Sequence, residues 1–428
     1  MVINQSLVGV VLAARGNPDV GKIYGALHGI QGILDEKFVD LRKETPANLE
    51  AVAATPSSAL GSVRRKPTEA DCAAIFKVLQ KRGVKWFLYI GGNDSAETVH
   101  ILGEHAAAAG EDIVCFHVPK TIDNDLREND HTPGFGSAAR FVACALMGDD
   151  LDNRALGGVK IDVIMGRHAG FLTAASALAR VNPGDGPHLI YLPERPFSTA
   201  QFVKDVKAAM KAHGRCVVAV SEGIADKKGT PIAAQFLHEV DSHGNAQLSG
   251  SGALGDALAG LVKEKAQIKR VRADTFGYLQ RSFPGVASVV DQEEARKAGI
   301  AAFEAAVSGK WRSGSIAIRR KKGRAYAVRY DVVPLAAVAR ETRSMPDAFI
   351  AENGHDVTDA FLAYARPLVG ALADDAVDVD AAKFQLHARS STEKGPSFRS
   401  RTSMCAPKRP VPTRARPSAS RSFATVRS

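Results

Sequence analysis

From Pro67 onward, short runs of β-branched and aromatic residues alternate with amphipathic helical stretches. The pattern predicts strands at Val84–Ile90, Ile113–Val118, Val159–Met165, His188–Leu192 and Cys216–Ser221, and helices over 68–82 and 94–109. The strands are nearly continuous in apolar residues, which marks them as buried on both faces in a mostly parallel sheet of an α/β protein. Residues 310–331 read as a β-hairpin turning at Lys322-Gly323, and a last helix is predicted over 356–368. No internal repeat is visible.

Composition changes this picture at one end only. The chain has 428 residues, about three domain lengths, so two domains or one large α/β unit are expected. Its formal charge is +10, but residues 381–428 alone hold eleven Lys/Arg and a single acid, Glu393. The remaining residues carry 45 bases and 45 acids. The body therefore offers no electrostatic reason to bind nucleic acid or a membrane, and only the Ser/Arg/Pro tail could do so. That tail cannot bury a core and is expected to be disordered. Apolar runs fall short of the ~18 residues of a membrane span. The N-terminus has no basic residue before its apolar stretch, so no secretory signal is expected. Five scattered cysteines without a CxxC spacing point to reduced thiols in a cytoplasmic setting.

Candidate chemistry falls at strand ends. GGNDS (91–95), PKTIDND (119–125) and MGRHAG (165–170) each follow a predicted strand. In a parallel sheet the carboxyl ends of the strands line one crevice, where ligands bind. Gly91 and Gly92 permit close backbone approach, and the helix that follows favours an anion; a tight turn capped by Asp94 or Ser95 reads the same residues without a ligand. PKTIDND places Lys120, Thr121, Asp123 and Asp125 within six residues. Two carboxylates one residue apart can divide the work, one taking a proton and the other meeting a metal ion, beside a lysine suited to phosphate. A self-capped polar loop is the plainer alternative. MGR supplies Gly166 for close approach and Arg167 for a two-pronged grip on an oxyanion.

Two other patterns are rejected. GNPDVGKI (16–23) approaches a phosphate-loop motif but lacks its Ser/Thr and follows a helical pattern. The pairs His100/His105 and His238/His243 lack the setting of a metal motif.

GGNDS, PKTIDND, MGRHAGFLTAASALA (165–179), SEG (221–223) and GYLQR (277–281), in this order and spacing, resemble the 6-phosphofructokinases, with the closest likeness to the pyrophosphate-dependent branch. The likeness covers roughly residues 2–370. It implies two Rossmann-like parallel-sheet domains with the active site between them: a donor domain over 1–153, a sugar-phosphate domain over 154–281, and a returning segment over 282–380 that completes both. It implies reversible, magnesium-dependent phosphoryl transfer to the C1 hydroxyl of fructose 6-phosphate. By resemblance Asp123 is the base. Thr121 and Asp125 position sugar and Mg2+. Met165, Gly166 and Arg167 meet the sugar and the transferring group. Glu222 accepts from sugar hydroxyls, and Arg272, Tyr278 and Arg281 hold the 6-phosphate. Arg64 faces the donor phosphates, and Asn93, Asp94 and Asp125 are the metal candidates. Asp94 and Lys120 stand where ATP-using relatives tend to have glycine, which points to pyrophosphate as donor. The resemblance further implies a homodimer or homotetramer, in which an arginine crosses to a neighbouring subunit.

Family members also carry a strand and a glycine-rich phosphate turn ahead of VIN, here residues 2–4. The donor domain is accordingly expected to lack its first strand, and Leu7, Val8, Val11 and Leu12 of the following helix are expected to be exposed. Two readings stay open beside the leading one: an ATP-dependent enzyme, opposed by Asp94 and Lys120, and an inactive regulatory or N-terminally truncated subunit.

Overall fold

A computed structural model describes residues 1–235, 252–339 and 341–372. The expected disorder of 381–428 and the pair His238/His243 lie outside the described residues.

Among the described residues the strands are β1 (Tyr24–Ala26), β2 (Phe38–Asp40), β3 (Trp86–Gly91), β4 (Val114–Pro119), β5 (Gly158–Ile164), β6 (Leu189–Tyr191), β7 (Arg215–Ser221), β8 (Val271–Thr275), β9 (Ser313–Arg320) and β10 (Val328–Val333). One sheet runs β10-β9-β4-β3, a second runs β6-β7-β5-β8, and β1 and β2 form a short antiparallel ribbon. The second sheet is wholly parallel. In the first, β3, β4 and β9 are parallel and only β10 runs back, as the predicted hairpin. β9 joins β4 from almost two hundred residues downstream, pairing Cys115 with Ser313.

The five predicted strands and the helices expected over 68–82 and 94–109 form within a residue or two of their expected ends, while the last helix, expected over 356–368, begins three residues later and runs Asp359–Val369. The helix expected over 68–82 is Glu69–Lys81, and its start is fixed by a capping box between Thr68 and Asp71. The helix expected over 94–109 is Asn93–Ala109, closed by Gly110 in the left-handed region. Strands β1, β2 and β8 were not expected. β8 alternates buried and exposed residues (VRADT), so it lacks the apolar run that betrays its neighbours.

The core lies between each sheet and its helices. β5, β7 and β6 send Ile161, Val163, Val218, Val220 and Leu189 into one cluster with the helix Thr199–His213. The other face of the sheet meets the helix Phe135–Leu156 through Leu146, Ile190 and Ala219.

The helix Ile3–Gly16 corrects one expectation. Val8 and Val11 are fully buried, and Leu7 and Leu12 are half-buried, because this helix packs along Val289–Val307 and over Leu41, Leu49 and Ala53. An apolar cavity nonetheless lies between this helix and the sheet. β3 is an edge strand, and the cavity, of about 520 Å³, runs along it, lined by Leu7, Val10, Val11, Trp86, Leu88 and Ile90.

Candidate active site

Five polar loops leave the carboxyl ends of five parallel strands. Gly91 ends β3 opposite Pro119, which ends β4. Ile164 ends β5 opposite Ser221 at the end of β7, and Val163 pairs with Thr275 at the end of β8. The five motifs noted in the sequence therefore share one end of the two sheets.

At β3, Gly92 caps the helix that begins at Asn93. Gly91 accepts from the Lys120 backbone N–H at 2.8 Å, tying the first loop to the second. Beneath it, His117 contacts Gly91 O at 3.0 Å through Nε2 and Ser315 Oγ at 2.8 Å through Nδ1. Burial holds the His117 imidazole down to about 4, so it is neutral and serves as a strut.

The second loop carries the acids. The Thr121 hydroxyl donates to Asp123 Oδ2 at 3.3 Å and accepts from the Asp123 N–H at 3.2 Å. Asn124, with φ of +60°, is fully buried and sits between the two carboxylates in sequence. Its amide donates to the Tyr364 hydroxyl at 2.8 Å and accepts from the Thr132 N–H at 3.1 Å. Arg343 closes the loop from outside: its guanidinium donates to the carbonyls of Asn124, Asn129 and Asp130, and its own N–H donates to Asp125 O.

Charge gathers here from both sheets. Burial pushes the Asp123 carboxyl up, opposed by Lys120, Thr121, Arg281 and His168. Burial and the Asp123 charge raise Asp125 to about 6. Lys120 is pushed down by burial and by the Arg281 and Arg64 cations, while Asp123 and Asp125 pull the other way. Lys120 and Asp123 belong to the first sheet's loops, and Arg281 and His168 to the second's, so one pool of charge spans both.

From the second sheet, Gly166 has φ of +148°, and a Cβ there would stand 2.7 Å from Ala169 O. Ser221 Oγ donates to Gly166 O at 2.6 Å. Met165 N–H donates to Gln280 Oε1 at 3.2 Å, binding the MGR loop to the turn Gly277–Arg281. Arg281 stacks over the Tyr278 ring at 4.4 Å. Glu222 is buried at the end of β7, and Arg167 is half-buried beside His168.

Three expected residues stand outside this hydrogen-bond network. Asp94 has an 86% exposed side chain and faces Lys66 at 3.9 Å. Arg272 lies opposite Lys160 in the first half of β8, exposed, and donates to Val271 O. Arg64 is exposed, and its charge acts on Lys120.

The donors for a hard cation are present in part. Asn93 Nδ2 donates to Asp125 Oδ2 at 3.0 Å, while Asn93 Oδ1 is buried with no hydrogen-bond partner. An orphaned amide oxygen beside a carboxylate is the kind of ligand Mg2+ accepts.

Sequence reasoning missed Arg343, Gln280, His117 and Tyr364. Gln280 lay inside GYLQR and could have been found there. Arg343 and Tyr364 sit in segments without motif signals and reach the loop only through tertiary packing.

Glycine-bearing loops at the carboxyl ends of two sheets, with lysine, arginines and paired aspartates, are the equipment of an α/β phosphotransferase. The chain belongs to the phosphofructokinase family, whose model, described as Phosphofructokinase, matches residues 1–306. It is 59% identical over 371 residues to the pyrophosphate–fructose 6-phosphate 1-phosphotransferase of Rhodospirillum rubrum, covering 86% of this chain and 91% of that protein. The Xanthomonas campestris protein of the same name is 39% identical, covering 86% and 88%. Among solved structures, the pyrophosphate-dependent phosphofructokinase of Marinobacter aquaeolei superposes with a TM-score of 0.77 at 33% identity, covering 87% of this chain and 89% of that one.

Proposed function

We infer that this protein transfers a phosphoryl group from pyrophosphate to the C1 hydroxyl of fructose 6-phosphate, reversibly, giving fructose 1,6-bisphosphate and phosphate. The observation that carries the reading is the meeting of the GGNDS, PKTIDND, MGR, SEG and GYLQR loops at the carboxyl ends of β3, β4, β5, β7 and β8. The names of the Rhodospirillum and Xanthomonas relatives support it.

Phosphoryl transfer demands positioning and charge neutralisation more than covalent chemistry. Asp123 takes the hydroxyl proton, and Thr121 fixes its orientation. A carboxyl raised by burial is a stronger base once ionised. Lys120, Arg167 and Arg64 offset charge on the donor and the transferring group. Met165, Gly166 and Glu222 seat the sugar, with Tyr278 and Arg281 on its phosphate. Asn93 and Asp125 hold Mg2+, which when bound supplies charge neutralisation at the phosphates. Asp94 and Lys120 select pyrophosphate at the mouth of the Asn93–Ala109 helix. Arg272, turned away from this chain's own crevice, serves a neighbouring copy in a homodimer or homotetramer.

Asp123→Asn tests the assignment: kcat should fall by ~10²–10⁴ while pyrophosphate binding persists. Retained turnover in that variant would remove Asp123 from the role of base.

A further inference from the structure

A second group of acids lies away from the crevice. Asp149 on the helix Phe135–Leu156, Asp162 on β5 and Asp274 on β8 place one carboxylate oxygen each within 4.8 Å of the others. Asp162 and Asp274 are register partners in adjacent strands. Asp162 has no exposed surface, and neither of its oxygens accepts a hydrogen bond. Buried carboxylates ordinarily have donors, and one without any calls for a cation or a proton. Among the described residues Lys160 is the one cation paired into the group, meeting Asp149 at 3.4 Å and Asp274 in a closer ion pair. With all three ionised, three carboxylates against one ammonium leave two negative charges, which a single divalent ion neutralises.

We propose that Asp149, Asp162 and Asp274 form a divalent-cation site separate from the phosphoryl-transfer crevice. Three oxygen ligands and no nitrogen or sulfur select a hard ion such as Mg2+, Mn2+ or Ca2+. The exposed Asp274 gives the ion its way in, and the Lys160 ammonium swings aside as it enters. The site ties a helix to two strands whose far ends carry the sugar-phosphate loops. Asp162 precedes Met165 by three residues, roughly 10 Å along the strand. Asp274 precedes Tyr278 by four residues. Occupancy therefore holds β5 and β8 together just beneath Met165–Arg167 and Tyr278–Arg281.

The experiment counts Mn2+ per chain by equilibrium dialysis and electron paramagnetic resonance, on full-length protein without substrates. Wild type should hold an ion that Asp162→Asn loses and that Asp274→Asn binds at least tenfold more weakly. Mn2+ should also raise the melting temperature of wild type and not that of Asp274→Asn. Asp125→Asn, which alters the crevice, should keep this ion. The proposal is overturned if Asp274→Asn binds as much Mn2+ as wild type. It is equally overturned if Asp162→Asn is more stable with an unchanged Mn2+ count, since Asp149 and Asp162 would then share a proton. Should Asp162→Asn fail to fold, the exposed Asp274 variant decides alone.

Discussion

Arg343 anchors the acid loop, and removing it should damage stability and catalysis together. Its guanidinium donates to the carbonyls of Asn124, Asn129 and Asp130, and it lies 4.9 Å over the Phe171 ring. Arg343→Met preserves the apolar stem and deletes the three bonds. A bond from a charged donor contributes about 1.5–3 kcal/mol net, but water can reach this half-buried site, so we expect a total loss of about 3 kcal/mol. With a denaturant slope of about 3 kcal/mol per M, the urea midpoint should fall by about 1 M. Asp123 and Asp125 flank Asn124, so a shift of about 1 Å in the loop should cost roughly 10² in kcat. Arg343→Lys, which can restore one bond at most, should fall between. Urea unfolding followed by tryptophan fluorescence, with kcat measured under native conditions, checks both numbers. A loss of stability with unchanged kcat would refute the idea that Arg343 places the carboxylates.

Three further outcomes are expected. Asp94→Gly with Lys120→Gly should weaken pyrophosphate use or admit ATP; an unchanged donor preference in steady-state assays would contradict the roles given to both residues. Gly166→Ala puts a Cβ 2.7 Å from Ala169 O at φ of +148°, so strain of ~1–3 kcal/mol should raise the KM for the sugar phosphate while the protein stays folded. Burial opposes charge on His131, but its bonds to Asp130 and Glu294 outweigh that and raise it above its ordinary value. Its stabilisation is then full below pH ~6.5 and lost as pH rises through the folded value. The stability gap between wild type and His131→Gln should accordingly narrow from pH 6 to pH 9, and a constant gap would show that His131 is not charged in the fold.

Much of the fold was legible because buried parallel strands write themselves as apolar runs. VKWFLYI, IVCFHV and CVVAVS needed no partner information to be recognised. The crevice was legible because Gly, Asp, Lys and Arg collect directly after those runs. β8 was hidden by its alternating burial, and β1 and β2 by their three-residue length. The packing of Ile3–Gly16 was misjudged because its apolar face is covered by Val289–Val307, nearly three hundred residues downstream. Local pattern carries no record of such a partner. The same holds for Arg343, which is positioned by backbone carbonyls two hundred residues away, and for Asp162, whose neighbours Asp149 and Asp274 come from a helix and another strand.

The central claim is the donor. Purified protein with Mg2+ and fructose 6-phosphate should form fructose 1,6-bisphosphate when given pyrophosphate and not when given ATP. Turnover with ATP in preference to pyrophosphate would contradict the assignment of Asp94 and Lys120, and absence of turnover with both would contradict the activity itself.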